Sequence, residues 1–169
     1  YGHKNIIGFA NRPFDDIIEM REELIRLHND VVGPGDLVYH LGDFSFGGPA
    51  VTESIIRSLH GQVHFVRGNH DSVMDRFKDL FCSYQEYKEL RVAEYRFVLF
   101  HFPIESWHRV AHGAMHLHGH CHGHLPDDGL KPRMDVGVDC NDFAPFHIDE
   151  VLERLLPRVG GWAPGDHHG

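Results

Sequence analysis

Val63-His64-Phe65-Val66-Arg67-Gly68-Asn69-His70-Asp71 decides how this chain is read. Apolar alternation over Val63–Val66 predicts a strand, and the strand stops at Gly-Asn-His-Asp. Gly68 allows a tight turn. Beyond it stand a neutral oxygen ligand (Asn69), an imidazole (His70) and a carboxylate, Asp71, placed to orient that imidazole. One such tetrapeptide is weak evidence. Its weight comes from its neighbours in order: Gly42-Asp43 after one apolar strand, His101 after another, and Gly119-His120-Cys121-His122 after a third.

Upstream, Asp15 opens a helix in which Asp16 and Glu19 have capping-box spacing. Ile17, Met20, Leu24, Leu27 and Val31 form its apolar stripe, and Gly33-Pro34-Gly35 stops it. Asp36–Leu41 reads as a buried strand and Ala50–Leu59 as a second helix. Strand, helix, strand implies parallel pairing with crossover helices, and ligands then sit at the carboxyl ends of the strands. Asp43 and Asn69 both stand at such ends. Downstream, 72–81 reads as a short helix. Tyr84–Val92 and Tyr95–Phe102 read as a hairpin through Ala93-Glu94, and 114–117 and 134–138 as further strands. Asp149 is expected to cap a last helix. Residues 1–7 show no regular period, and 158–169 reads as a tail. Without repeat or long linker, residues 1–169 are expected to form a single α/β domain.

Composition narrows the function. The net charge of −9 argues against a nonspecific nucleic-acid binder, which needs a basic surface; nucleic acid stays open only as a substrate. No apolar run approaches the ~18 residues of a membrane span. Three cysteines without a CxxC fit a reducing, cytoplasmic setting. The chain begins at Tyr1 rather than Met, which leaves open an upstream segment, a signal peptide included. Histidine is abundant, 17 of 169 residues, and clusters at 112–124.

Asp43, Asn69, His70, His101, His120 and His122 are the candidate site residues. A carboxylate can bridge two cations, and with amide oxygen and imidazole nitrogen it makes a mixed site suited to Mn, Fe or Zn. His120 and His122 lie two apart, so an extended backbone would point both the same way. Gly119 would remove a Cβ where the backbone nears the ions. Taken singly, each has a plainer reading: Asp43 or Asn69 as a turn residue, His101 as a hydrogen-bonded half-buried histidine, His116 to His124 as a solvated face. Four successive strand ends carrying metal-type ligands make those readings hard to sustain together.

Gly42-Asp43, Gly68-Asn69-His70-Asp71, His101 and Gly119-His120-Cys121-His122 resemble four of the five motifs of the calcineurin-like metallophosphoesterase superfamily, in particular its small bacterial and phage-type members. Val136-Gly137-Val138-Asp139 and the segment from His147 to Val151 continue the likeness. The resemblance implies a four-layer α/β/β/α sandwich with mixed sheets and a two-metal site between them. Asp43 would bridge the ions, Asn69, His101 and His120 would bind the second, and His122 the first. His70 would protonate the leaving oxygen, with Asp71 holding its ring, and a hydroxide activated by two divalent ions would attack a phosphomonoester or phosphodiester. The family's first motif is an Asp-x-His at the end of the first strand; none stands there in this chain, and Tyr1-Gly2-His3 resembles the residues that follow it. An incomplete site would also suit a non-catalytic scaffold, and the His-rich segment alone could store metal. Arg12 and Arg67 are candidates to meet phosphate, and Asp139 to orient a ligand histidine.

Overall fold

The computed structural model describes residues 1–161; most of the expected tail lies outside them. The chain opens with a helix that the sequence did not show, α1 (Lys4–Phe9), whose first turn is capped by His3 Nδ1 accepting from the Ile6 amide. Six residues burying only Ile6 are too few to display a stripe. α2 (Ile17–Val31) buries Met20, Leu24 and His28 at four-residue spacing. Asp16 caps it by accepting from the amides of Ile18 and Glu19 at 2.7 and 2.9 Å. Glu19 reaches back one residue further than a capping box requires, to the Asp15 amide.

β1 (Leu37–His40), α3 (Pro49–Ser58) and β2 (Gln62–Val66) form the expected crossover unit: β1 and β2 are parallel, with Val38 opposite Val63 and His40 opposite Phe65. β1 is only half-buried, with Leu37 exposed. A 3-10 helix, Asp71–Leu80, leads to β3 (Ser83–Gln85), which pairs parallel on the far side of β2. The expected single strand over 84–92 is two. Glu86 separates β3 from β4 (Tyr87–Val92), and β4 belongs to the second sheet. Period-two alternation runs through such a change of sheet without marking it.

The second sheet has the order β4, β5 (Tyr95–Phe100), β6 (Met115–His118), β7 (Arg133–Asp135). β4 and β5 form the expected hairpin, while β5–β6 and β6–β7 are parallel. Mixed pairing is therefore confined to this sheet. The two sheets bury Leu41 and Val66 of one against Phe97, Leu99, Met115 and Leu117 of the other, joined by Val151 and Leu155 of α4 (Ile148–Leu155). Outside the first sheet, Phe44, Ile55, Phe65 and Met74 pack together; outside the second, Val98 packs with Trp107, Val110 and Ala114. The result is the α/β/β/α arrangement that the motifs imply. Burying these faces is the main stabilising term, at about 25 cal/mol per Å² of apolar surface.

The cap of α4 is His147, not Asp149. Its Nδ1 accepts from the Asp149 amide, and Glu150 closes a capping box onto the His147 amide at 2.7 Å. We expect His147→Ala to lower stability by about 1 kcal/mol in urea unfolding, and Asp149→Ala to change it less.

Candidate metal centre

Four strand ends meet between the sheets. Asp43 follows β1, Asn69 and His70 follow β2, His101 follows β5 and His120 follows β6. His101 is at the centre and almost wholly buried. Its Nδ1 lies 2.7 Å from the Leu41 carbonyl, which can only accept, so Nδ1 carries the proton. In the neutral ring Nε2 is then a lone pair. It faces Asn69 Oδ1 at 3.0 Å, His120 Nδ1 at 3.2 Å and Asp43 Oδ2 at 3.3 Å.

This crowding of acceptors is the fit test for a cation. A single proton on Nε2 satisfies one of the three partners, whereas a divalent ion satisfies all of them, and a carboxylate, an amide oxygen and two imidazoles make a set suited to Mn, Fe or Zn. The local electrostatics agree. Burial opposes charge on His101, yet the Asp43 carboxylate and the Leu41 carbonyl outweigh it and raise the pKa. Burial, followed by the neighbouring His101, lowers that of His120. The cluster attracts positive charge to its centre.

The backbone around these ligands is held in uncommon conformations. Asp43, His120 and His122 have φ of +54°, +66° and +49°, in the left-handed region that non-glycine residues seldom occupy. Such residues cluster at functional sites because surrounding contacts must hold them there. It follows that His120 and His122 are not on extended backbone, as their spacing led us to expect. The loops also approach closely. Gly42, at φ +92°, has no room for a Cβ, which would lie 2.5 Å from the Gly68 nitrogen. Gly68 in turn sits against Asp43. At Gly119, by contrast, a Cβ would make only an ordinary contact, 3.6 Å from the Leu41 oxygen, so close packing does not demand glycine there.

Asp71 differs most from the sequence reading. Fully buried, it accepts from the amides of Asp43 (2.7 Å), Phe44 (2.8 Å) and Gly68 (2.7 Å). It ties the loop after β1 to the loop after β2 and makes no hydrogen bond to the His70 ring. Three backbone donors pointing into one buried pocket need an anionic acceptor more than an exposed imidazole does. His70 is fixed otherwise: its amide donates to Asp43 Oδ1 at 3.0 Å and its ring lies 4.9 Å from that of Phe46.

His122 stands apart from the four converging ligands. Its Nδ1 donates to Asp139 at 2.7 Å, and Asp139 receives a two-pronged ion pair from Arg12, both bonds 2.7 Å. Burial would raise the Asp139 pKa, but His122 and Arg12 hold it at about 2. Arg12 is therefore engaged with a carboxylate inside the protein rather than presented to phosphate, and it fixes the group that orients His122. Arg67 likewise turns towards Asp75 and Glu86, at 3.5 and 3.9 Å. The placement of Arg12 differs from the expected phosphate contact, because a buried carboxylate offers its guanidinium a fixed partner; the ion pairs of Arg67 are longer and lie at the surface.

Exposed phenylalanines surround the ligands, a feature that the sequence reading missed. Phe102 lies 4.7 Å from His120, Phe46 4.1 Å from His3, and Phe9 6.2 Å from His122. The only hint was the Phe- and Gly-rich loop after Asp43. His70, Asn69 and His120 are themselves exposed, so the site is open.

A family model for the calcineurin-like phosphoesterase superfamily domain matches residues 16–129. The chain belongs to this superfamily. Among its relatives is an uncharacterised protein of Methanocaldococcus jannaschii, 31% identical over 162 residues, covering 92% of this chain and 86% of that protein. The gene 66 protein of Mycobacterium phage D29 is 28% identical over 163 residues, covering 78% of this chain and 81% of its own. A crystal structure of a protein of unknown function from Aquifex aeolicus superposes with a TM-score of 0.68 at 23% identity, over 88% of this chain and 91% of that one. That likeness shows a shared fold. Among the described residues no helix is long and apolar enough to cross a membrane.

Proposed function

We propose that this phosphoesterase-superfamily protein is a hydrolase of phosphomonoesters or phosphodiesters, dependent on two divalent cations of the Mn, Fe or Zn class. The observation that carries the proposal is the convergence of Asn69 Oδ1, His120 Nδ1 and Asp43 Oδ2 on His101 Nε2, within 3.3 Å of it. Bound there, divalent cations supply positive charge for the phosphoryl oxygens and lower the pKa of a water nucleophile. Asp43, Asn69, His101 and His120 would hold one ion, with Asp43 shared. His122, its ring set by Asp139 and Arg12, would face the other.

His70 fits the role of general acid. It is exposed beside Asp43, its backbone is pinned to that ligand, and its ring is backed by Phe46. Protonated, it can deliver a proton to the leaving oxygen. The absence of a carboxylate on its ring leaves orientation to Phe46. The three unpaired cysteines support a reducing, cytoplasmic location.

The test is hydrolysis of an aryl phosphodiester and an aryl phosphomonoester by Mn²⁺-loaded and chelator-treated protein. Turnover of either ester that chelation removes and Mn²⁺ restores is the expected result. A folded, metal-loaded protein that turns over neither would overturn the proposal in favour of a scaffold. The ratio of the two rates assigns the ester class.

A further inference from the structure

A second donor cluster lies behind the first. His118, Cys121 and Asp135 each offer a ligand atom, and these atoms lie within 4.8 Å of one another. His118 is 2% exposed. Its Nδ1 donates to the Gly119 carbonyl at 2.9 Å, which leaves the Nε2 lone pair, and among the described hydrogen bonds that nitrogen has no partner. The Cys121 sulfur has none either. Asp135 accepts from the Gly123 amide at 3.0 Å and the Gly137 amide at 2.9 Å. Those two bonds fix the carboxylate and leave it lone pairs to spare.

We propose that His118, Cys121 and Asp135 form a separate binding site for a soft or borderline divalent cation of the zinc type. A thiolate beside an imidazole and a carboxylate favours zinc over the harder cations. A tetrahedral ion with bonds of about 2.0–2.3 Å holds its ligands roughly 3.3–3.7 Å apart. The cluster therefore needs to close by about an ångström, within the reach of side-chain rotation. On binding, the Cys121 S–H bond breaks, its proton passes to solvent, and sulfur, Nε2 and a carboxylate oxygen each donate a lone pair. The fourth position is left to water. Burial and the Asp135 charge raise the thiol pKa without the ion, and a bound cation reverses that preference.

The position gives the site a purpose. Cys121 lies between His120 and His122, on a loop where His120, His122 and Gly123 all have positive φ. Asp135 lies on β7 and His118 on β6. A cation joining them would clamp this strained loop to the sheet and hold the two histidines in place. The inference does not depend on the phosphoesterase reading, since it concerns a different donor set.

Cobalt is the probe, because a thiolate bound to Co²⁺ gives a near-ultraviolet charge-transfer absorption that an all-N/O centre cannot give. We expect the absorption on adding Co²⁺ to the folded protein, loss of it in Cys121→Ser, and its retention in Asp43→Asn and Cys140→Ser. Zn²⁺ should remove it by displacement, and Cys121→Ser should bind one zinc fewer per chain. A folded protein that loads Co²⁺ without the absorption would overturn the proposal. So would an absorption that survives Cys121→Ser.

Discussion

Asp43→Asn is expected to weaken Mn²⁺ binding at least about 100-fold and to leave the melting temperature almost unchanged. Loss of a residue that merely orients a ligand costs roughly 10–100-fold in metal affinity or activity, and Asp43 is placed to be a ligand itself, shared by both ions. The substitution isolates charge from structure. Asparagine tolerates the left-handed φ of +54° and keeps a carbonyl oxygen to accept from the His70 amide. The carboxylate that attracts positive charge to His101 Nε2 is lost. Calorimetric titration with Mn²⁺ beside a thermal melt checks both halves. Unchanged metal affinity would sink the assignment of Asp43, and with it the geometric basis of the proposed activity.

Asp71→Ala should damage the fold itself. Its carboxylate is the acceptor for three amides, and nothing else is in position to receive them. A buried donor left unsatisfied costs about 1–3 kcal/mol; allowing for water entering the vacated space, a loss of about 3–5 kcal/mol is expected. That is a large share of the roughly 5–15 kcal/mol that holds a domain together. Asp71→Asn should cost less, about 1–3 kcal/mol. Its oxygen replaces one acceptor, but its NH₂ group must then face a backbone donor. Urea unfolding distinguishes these outcomes. If both variants kept wild-type stability and only the pH profile of turnover moved, Asp71 would after all act through His70.

The two residues show where a sequence pattern informs and where it does not. Asp43 was legible because its cue is local: a carboxylate after glycine at the end of an apolar strand, in series with similar endings. Asp71 follows a histidine, so adjacency made it look like that histidine's partner. Side chains of neighbouring residues past a strand end need not face each other, and Asp71 turns inward to the backbone of a loop 28 residues away.

The sequence by itself determined the order of strands and crossover helices, the role of Asp16 as the cap of α2, and the strand ends that carry Asp43, Asn69, His101 and His120. Each follows from a short-range cause: hydrophobic period, a capping side chain, a glycine stop. Only the tertiary structure decided that 84–92 divides between two sheets. It alone joined Arg12 to Asp139 across 127 residues, and through Asp139 to His122. It alone set Asp71 beneath three amides, and His118 beside Cys121 and Asp135. Those choices depend on which buried charge and which unpaired backbone donor come to share one low-dielectric pocket. Local periodicity carries no record of such a partner, because burial makes the pairing necessary only once the chain has folded.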